Sequence, residues 1–548
     1  MGILLILCVG VAVVIGGILL FRLHAFLVLI LAALIVSALT PADSVRRYAL
    51  NQAKIKFDSS RSDTEEICLK AKPTDVPLGT QLLVVLGGTD ETVAITVVRF
   101  EQVEARSLAV ATGYGSRPWF DDNVVVSPKD VLAADKLAQT TIGERVATSF
   151  GATCGKIGIL IAMAAIIGKC LLDSGAADKI VRSALKLFGE RGAPGAFVSS
   201  GFLLGIPVFF DTVFYLMVPL GKALRVRTGR NYLLYVLTIV CGATMAHSLV
   251  PPTPGPLFVA ESLGVDLGLM ILCGCVVGLF ASTTGYIYAQ FMNSRFELPL
   301  RESEDLSLAD LDNLVQHDES ALPPLWISLA PILLPIILIA GYTILKNYNG
   351  HFSPTLMYAA KTLGNKNIAL VISAAIALIT LVRQKKTDRK ALAASIHSAL
   401  ASGGVIILIT AGGGAFGRAM QQTGVASLIQ DLPQGSMLLT LLLAFLVTTA
   451  IRTAQGSATV AMITAVGILA GVASAEQLGF HPVYVALAIG CGSKPLAWMN
   501  DSGFWVICKM SGMTETEGLK YITPMSAAMG VVGLTVTILG AWLFPMTG

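Results

Sequence analysis

The chain has 548 residues, of which 54% are hydrophobic and only 14% are charged, and its formal net charge is +4. Because soluble globular proteins carry about 25% charged residues, this composition excludes an ordinary soluble protein and indicates a polytopic membrane protein. The small net charge, with no basic patch among aromatic residues, gives no support for nucleic-acid binding. The nine cysteines are scattered, so neither a disulfide framework nor a metal-ligand spacing is visible.

Hydropathy predicts ten membrane-spanning helices, together with two apolar stretches that are interrupted. The predicted spans are 2–20, 25–41, 152–172, 231–250, 266–291, 325–345, 367–383, 395–415, 484–508 and 523–545. The interrupted stretches, 195–221 and 436–470, contain Gly, Pro or polar residues, and we do not expect them to cross as simple helices. The first span lacks a basic n-region and a cleavage site, so we interpret it as a retained span rather than a signal peptide.

Residues 43–150 differ from the rest of the chain. They contain many charges and no spanning run, and the stretches ETVAITVVRFEQV and NVVVS alternate as short strands do. We predict a small inserted soluble domain of α+β type, which the parity of the spans places outside the cytoplasm. A structural or interaction module is the favoured interpretation, and a ligand sensor is the alternative.

Charge in the short loops predicts the orientation of the spans. Loops 221–230 and 383–390 are strongly basic and are predicted to be cytoplasmic, whereas 471–482 has no Lys or Arg and suits the outside. These assignments agree with the span count only if 195–221 enters and leaves on the same side, as a re-entrant hairpin does. The acidic stretch 292–324 is then a cytoplasmic linker between two halves.

Two segments of the chain resemble each other at an offset of about 249 residues. GKCLLDSGAADKI (168–180) matches GRAMQQTGVASLI (417–429), and YVLTIVCG (235–242) matches YVALAIGCG (484–492). Both copies are followed by a broken segment, HSLVPPTPGPLF in the first and WMNDSGFW in the second. The first copy begins outside and the second inside, so we predict inverted repeats, which are typical of secondary transporters.

These features together predict the fold class and the domain organisation. We expect an all-α polytopic membrane protein, an inverted-repeat secondary transporter with broken helices and re-entrant hairpins, plus the inserted extracytoplasmic α+β domain. The predicted parts are the first two spans (1–42), the insertion (43–150), the remainder of the first repeat (151–291), the cytoplasmic linker (292–324) and the second repeat (325–548).

Ionisable residues inside apolar segments are the first candidates for function, because lipid does not tolerate them without a reason. Asp211 lies in GIPVFFDTVFYLMVP and is a candidate proton carrier, the alternative being a solvated hairpin end. Arg452 in TTAIRTAQGSAT is suited to clamp a carboxylate, unless it lies at the membrane edge and extends to water. His247, before the Pro-rich break, titrates near neutral pH or donates to a hydroxyl, or is an ordinary hydrogen-bonded histidine.

The second broken segment supplies further polar candidates. Asn500 and Asp501 are adjacent polar residues between apolar runs, and Lys494 either neutralises Asp501 or faces the rim of a cavity. In AQGSATVAMITA, Gly456 allows close approach of the backbone to a ligand, and the Ser457 and Thr459 hydroxyls offer neutral hydrogen bonds. Ordinary helix packing is the alternative for these three small residues. No Walker loop, zinc motif or nucleophile elbow occurs, so we expect neither an enzyme nor a cofactor or metal site.

Four motifs carry a resemblance to a known family: GIPVFFDTVFYLMVPL, AHSLVPPTPGP, RTAQGSATVAMITA and MNDSGFW. On these motifs the chain resembles the gluconate:proton symporter family of bacterial inner-membrane permeases, in the ion-transporter superfamily, over about 1–42 and 137–548. The resemblance implies uptake of a sugar acid together with a proton. The family usually has Glu where Asp211 stands, a histidine at the position of Thr253, and an apolar residue where Lys494 stands.

The resulting prediction is a proton-coupled symporter of gluconate or a related hydroxy-carboxylate in the inner membrane. The predicted substrate-binding residues are His247, Pro252, Thr253, Gly255, Arg452, Gly456, Ser457, Thr459 and Asn500, and the predicted proton-coupling residues are Asp211 and Asp501. The expected partners are a small carboxylate, a proton (or sodium) and the lipid bilayer, and we expect a homo-oligomer. Two alternatives remain open, a sodium-coupled or exchange transporter of di- or tricarboxylates, and a membrane receptor with the insertion as its sensor.

Overall fold

The structure is a computed structural model. It describes residues 2–19, 21, 23–61, 65–87, 91–103, 106–115, 117, 119–120, 123–301, 322–347, 352–385, 389–424, 437–469 and 478–546. The predicted linker and the repeat segment 417–429 therefore lie partly outside the described residues. The chain divides into two compact units. The first comprises Met1–Gly10, Leu34–Ala147 and Ala419–Leu428, and the second comprises Val11–Ala33, Thr148–Arg418 and Ile429–Gly548.

The first unit contains an antiparallel sheet of six strands in the order β1-β2-β5-β4-β3-β6. The strands are β1 (Lys56–Arg61), β2 (Glu66–Lys70), β3 (Gln81–Val85), β4 (Thr92–Val103), β5 (Arg106–Thr112) and β6 (Val124–Val126). Alternating apolar residues such as Leu82 and Val84 in β3, and Ile95 and Val97 in β4, are buried in one core, as half-buried strands require. The small inserted sheet domain predicted from the sequence is present.

Two helices flank this sheet along the chain, α3 (Ala42–Ala53) before it and α4 (Pro128–Gln139) after it. Helix α4 begins at a capping box, in which the Ser127 hydroxyl accepts from the backbone N–H of Asp130 and the Asp130 carboxylate accepts from Ser127. Leu50 of α3 and Ala134 of α4 share a buried cluster with Val85 and Val126 of the sheet. Helix α4 ends at Gln139, and the last residues of the predicted 43–150 segment belong to the next helix, whose first residues still fall in the first unit.

The other helices range from 9 to 34 residues in length. They are α1 (Ile3–Leu19), α2 (Ala25–Leu39), α5 (Ile142–Asp173), α6 (Ala176–Leu204), α7 (Phe210–Thr228), α8 (Tyr232–Leu249), α9 (Pro254–Ser262), α10 (Leu267–Arg295), α11 (Leu325–Asn347), α12 (Pro354–Leu363), α13 (Lys366–Gln384), α14 (Arg389–Gln422), α15 (Met437–Gln455), α16 (Ala458–Leu469), α17 (Val483–Gly492), α18 (Ser502–Ser511) and α19 (Glu515–Leu543). Within the described residues, eight helices are long and apolar enough to cross a membrane, or nine if the bent pair α2 and α3 counts as one span.

Within the described residues of the second unit, apolar helices are interrupted at 205–209, 250–253, 456–457 and 493–501, and each interruption has a local cause. The break 205–209 between α6 and α7 contains Gly205 and Pro207, and the break 250–253 between α8 and α9 contains two prolines. The break 456–457 between α15 and α16 contains Gly456 in a left-handed conformation, with φ of 85°. The predicted stretches 195–221 and 436–470 are thus interrupted, as expected.

The prediction of one continuous span over 484–508 is wrong. The segment WMNDSGFW, which lies within this range, was also predicted to be a break, and that prediction agrees with the structure. Helix α17 ends at Gly492 and α18 begins at Ser502. Pro495 cannot continue the hydrogen-bond ladder of a helix, and the Asp501 carboxylate starts the next helix by accepting from the backbone N–H of Gly503 at 2.9 Å. The mean hydropathy over 484–508 stays high because the helices on both sides of the break are strongly apolar, and it therefore does not reveal the break.

The helices of the two halves correspond at the spacing found in the sequence. Helix α5 ends at residue 173 and α14 at residue 422, an offset of 249, and α10 and α19 begin at residues 267 and 515, an offset of 248. The helices that follow two of the breaks, α7 and α16, begin at residues 210 and 458, again an offset of 248. Three element ends thus recur at nearly the offset predicted from the sequence, and the inverted repeat stays a prediction.

Candidate functional site

A cavity of about 330 Å³ lies in the second unit, where three of the broken segments meet. Its walls include residues from α7, α8, α14, α15, α16, α18 and α19. Its polar lining residues are Asp211, Thr244, His247, Thr410, Arg452, Ser457, Thr459, Ser493, Lys494, Asp501, Ser502 and Ser526. Ser457, Ser493 and Asp501 come from the breaks themselves, where interrupted helices leave backbone groups available to a ligand.

Helix α8, which lines the cavity, is almost completely buried. In the span that contains α8 and α9, 89% of the residues in the most apolar window are buried inside the protein. A helix that contacts protein on all sides has apolar residues around its whole circumference, so its sequence shows no amphipathic pattern. Polar residues on such a helix, such as Thr244 and His247, therefore face other helices or the cavity rather than lipid.

Arg452 and Asp501 form a buried ion pair in the cavity wall. Arg452 lies in the last turn of α15 and is 4% exposed. Its Nη2 donates to Asp501 Oδ2, and its Nε donates to the carbonyl oxygen of Ser493 at 3.1 Å. The third nitrogen, Nη1, is buried without a partner in the described residues. The arginine is thus held in place by two contacts and still has a donor group for a ligand.

Lys494 is also buried, with 7% of its surface exposed, and it lines the cavity. Its Nζ donates to the carbonyl oxygen of Thr244 at 2.8 Å. Among the described residues, no carboxylate lies within ion-pair distance of Lys494. Asp501 is close enough to attract Lys494 electrostatically but makes no ion pair with it in the described residues, so neither of the two interpretations left open by the sequence is decided.

Asp211 and His247 face the cavity without partners. Asp211 lies in the first turn of α7, and its carboxylate makes no hydrogen bond or ion pair with the part of the chain that the structure describes. His247 lies in the last turn of α8, where its Nδ1 is buried and unpartnered. The imidazole packs edge-on against Phe209, with ring centroids 6.1 Å apart. Both side chains are available to a ligand, and the Asp211 carboxylate is also available to a proton.

Asn500 and Gly456 join two breaks instead of lining the cavity. Asn500 Nδ2 donates to the carbonyl oxygens of Thr453 at 2.6 Å and Ala454 at 3.2 Å at the end of α15, where carbonyl groups lack partners within the helix. Trp498 Nε1 also donates to the Thr453 oxygen, at 3.1 Å. A Cβ on Gly456 would overlap the carbonyl oxygen of Asn500. Neither residue lines the cavity, and their contacts connect two broken segments, so substrate binding by Asn500 and Gly456 stays a prediction.

Three other predicted substrate-binding residues lie behind the cavity wall. Thr253 is 2% exposed, and its hydroxyl donates to the carbonyl oxygen of Val250 at 2.8 Å. A Cβ on Gly255 would overlap the side chain of Met462, so this glycine permits close packing of α9 against α16. Neither they nor Pro252 line the cavity, although Pro254 of the same motif does.

Replacement of Thr253 by valine is expected to leave substrate affinity unchanged, because the hydroxyl bonds its own turn and does not face the cavity. The lost hydrogen bond is expected to lower stability by about 1 kcal/mol. Thr459→Val, which removes a hydroxyl from the cavity wall, is the comparison variant and is expected to weaken binding. Ligand titrations and melting temperatures of the two purified variants check this. A larger loss of affinity in Thr253→Val than in Thr459→Val would contradict it.

Several residues that line the cavity were not predicted from the sequence. Thr244, Thr410, Ser493 and Ser526 are single hydroxyl-bearing residues in apolar helices or at their ends, and hydroxyls are common there because they bond the preceding turn. Thr410, for example, donates to the carbonyl oxygen of Ile406 at 2.7 Å. Only the tertiary structure, which places Thr410 in the cavity wall, identifies this residue as part of the site.

Comparison with known proteins identifies the family. Residues 124–543 match the family described as GntP family permease. The chain belongs to this family. A gluconate permease of Pseudomonas aeruginosa is 32% identical over 398 residues, which are 71% of this chain and 85% of the relative. An uncharacterized permease of Haemophilus influenzae is 31% identical over 402 residues (72% and 82%), and a low-affinity gluconate transporter of Escherichia coli K12 is 29% identical over 411 residues (74% and 88%).

Solved structures support the fold of this GntP family permease. The YdaH transporter of Alcanivorax borkumensis aligns with a TM-score of 0.54 at 14% identity, covering 79% of this chain and 94% of that one. MtrF of Neisseria gonorrhoeae aligns with the same TM-score at 17% identity, covering 78% and 88%. The resemblance predicted from the four motifs is confirmed, and the protein is a multi-span membrane permease and not an enzyme. Strands β1 to β5 precede the family match.

Proposed function

We propose that this GntP family permease is a proton symporter of gluconate or a related hydroxylated carboxylate. The observation that carries the proposal is the cavity at the meeting of the broken segments, which combines two buried cations with a series of neutral hydroxyls. Gluconate is a carboxylate with hydroxyls along its carbon chain, and both kinds of group find complementary partners there. Relatives that cover most of this chain are named gluconate permeases or transporters.

The substrate carboxylate would lie near Arg452, whose Nη1 is free to donate. The hydroxyls of Ser457 and Thr459 line the same cavity and can donate to or accept from substrate hydroxyls. Ser457 belongs to the break before α16, and its hydroxyl accepts from the backbone N–H of Val460 at 3.3 Å, so the start of this helix would favour a negatively charged group nearby. His247 is the candidate partner for a further hydroxyl.

Asp211 is the better of the two predicted proton carriers. Asp501 is bonded to Arg452, a side chain that does not give up its proton, and it also starts α18. Asp211 has no such partner among the described residues, lines the same cavity and lies at the start of α7, beside the break 205–209. Uptake of a proton by Asp211 would remove a negative charge from the cavity as an anionic substrate arrives.

The proposed location is the inner membrane, with the basic loops 221–230 and 383–390 in the cytoplasm and the inserted sheet domain outside it. Transport would then proceed by movement of the elements that contain the breaks against the long spanning helices, so that the cavity opens to each side in turn.

The test is uptake of radiolabelled D-gluconate by proteoliposomes that contain the purified full-length chain. An inward proton gradient is expected to drive accumulation, a protonophore to abolish it, and a sodium gradient to have no effect. Asp211→Asn is expected to lose accumulation while keeping exchange of internal for external gluconate, because binding does not need the titrating proton.

Uptake that follows a sodium gradient and ignores the protonophore would contradict proton symport. Full accumulation by Asp211→Asn would remove Asp211 from the coupling role. Lys509→Met on the exposed side of α18 is the control, because it removes a charge outside the cavity and is expected to behave as the unmodified permease does.

A further inference from the structure

A second, smaller cavity lies beside the break 205–209. Its volume is about 80 Å³, which is enough for several water molecules but small for a substrate, since ligand pockets usually exceed about 300 Å³. Its walls come from α5, the break, α7 and α14. Ser398 and Ser402 in these walls are exposed, and the half-buried Lys169 lies with its Nζ 3.0 Å from Asp173 Oδ1. The smaller cavity therefore reaches the surface of the second unit.

The two cavities follow one side of α14. Ser398 and Ser402 line the smaller cavity, and Ile406 and Thr410 line the larger one. These residues are spaced four apart, so they lie along one side of the helix, and the two pairs are about 12 Å apart along its axis. The smaller cavity thus continues the larger one toward the start of α14.

One aromatic ring separates the two cavities. Phe209 lines both of them, and no other residue in the described part of the chain does so. Its ring packs edge-on against His247, which belongs to the wall of the larger cavity. A ring with a cavity on each side is not held by close packing as a core residue is, so it can change its rotamer without displacing whole helices.

Phe209 also occupies a position where helix chemistry favours another kind of residue. It immediately precedes α7, where Ser, Thr, Asp or Asn usually accepts a hydrogen bond from the first turn, and its ring caps no backbone N–H. The residue 248 positions later, just before α16, is Ser457, and its hydroxyl does cap that helix. Sequences depart from such local rules where a side chain has a functional task.

We propose that Phe209 is a gate residue of this permease, which closes the substrate cavity toward the smaller cavity and the start of α14. The gate rests on the proposed function, in which a hydroxylated carboxylate occupies the larger cavity and contacts His247. With the ring in its observed position, a molecule of that size cannot pass. Rotation of the ring joins the two cavities and opens a route along Thr212 and Ser402 to the surface near loop 383–390, which we place in the cytoplasm.

The first experiment measures access to the two cavities and needs no substrate. Cysteine replaces Ser402, behind the ring, or in a separate variant Thr410, in front of it, and inside-out membrane vesicles are treated with a membrane-impermeant maleimide. Peptide mass spectrometry distinguishes the introduced cysteine from the nine native ones. We expect Ser402→Cys to react rapidly and Thr410→Cys slowly. Adding Phe209→Ala is expected to raise the rate at position 410 several-fold and to leave that at position 402 unchanged.

Phe280→Ala is the matched control, because it removes the same ring from an exposed position on α10 that lines neither cavity. It is expected to change neither rate. Equal reaction at positions 402 and 410 with Phe209 in place overturns the gate, and so does a rate at position 410 that Phe209→Ala leaves unchanged. No reaction at position 402 overturns the route to the cytoplasm.

The second experiment measures accumulation of radiolabelled D-gluconate by proteoliposomes. Phe209→Ala is expected to lose accumulation while downhill efflux stays at least as fast as in the unmodified permease, because a cavity without its gate lets substrate return. Phe209→Leu, a milder truncation, is expected to show a smaller loss of the same kind, and Phe209→Tyr, which keeps the ring, to accumulate normally. Normal accumulation by the alanine and leucine variants overturns the gate. Failure of the unmodified permease to take up D-gluconate contradicts the proposed function, whereas the maleimide rates test the gate alone.

Discussion

Asp501→Asn is expected to lower the free energy of unfolding by about 3–5 kcal/mol and to abolish transport. The substitution keeps the shape of the side chain but leaves Arg452 as a buried cation without its carboxylate, which is strongly unfavourable. The amide oxygen of the new side chain can still accept from Gly503 at the start of α18, so the helix itself is expected to persist. Melting temperatures and proteoliposome uptake measure the two effects.

A double-variant cycle separates the ion pair from the individual residues. Arg452→Gln is expected to destabilise the permease as well, because it leaves Asp501 unpaired. The double variant Arg452→Gln/Asp501→Asn contains no isolated charge at this position. Its free energy of unfolding is therefore expected to fall by less than the sum of the losses in the two single variants. Its uptake is expected to stay low, since the arginine donor is missing. Strictly additive losses of stability would show that the two side chains do not interact.

Gly456→Ala is expected to abolish transport by separating two of the broken segments. Gly456 has a φ of 85°, and a Cβ there would overlap the backbone carbonyl oxygen of Asn500, an atom that cannot move without moving the whole break. An alanine in the left-handed conformation by itself is unfavourable by about 1–2 kcal/mol. The additional overlap displaces the segment that contains Asp501, and with it the cavity wall.

Gly264→Ala is the matched control for this prediction. Gly264 also has a positive φ, of 65°, but a Cβ there would meet no atom within 4 Å. It is expected to show the conformational effect alone, with a modest drop in melting temperature and near-normal D-gluconate uptake. If the two alanine variants lose transport to the same extent, the contact between Gly456 and Asn500 is not what holds the cavity together.

The candidate site could be predicted in part because lipid makes polar residues conspicuous. Asp211, His247, Arg452 and Asp501 stand out in apolar segments, and all four line one cavity. Such residues are rare in spanning helices because burial without a partner is unfavourable, so each one indicates a site. The breaks were visible for a related reason, since Pro and Gly interrupt helices wherever they occur.

The residues of the Pro-rich break were predicted as one group, but the structure places them on different sides of the backbone. Pro252, Thr253 and Gly255 were grouped with His247 because they follow it in the chain. The backbone turns between α8 and α9, so Thr253 bonds the turn and Gly255 packs against Met462, while His247 and Pro254 reach the cavity. Adjacency in sequence does not determine which side of a break a side chain faces.

The sequence by itself determined that this protein is a helical membrane permease with an inserted sheet domain and broken segments at repeated positions. Those properties follow from composition and local chemistry, since a chain in lipid must satisfy its backbone within helices. Only the tertiary structure decided that Asp501 pairs with Arg452, and that Lys494 makes no ion pair among the residues described. Contacts between residues on different helices depend on how the helices pack, because packing places side chains distant in sequence within a few ångströms.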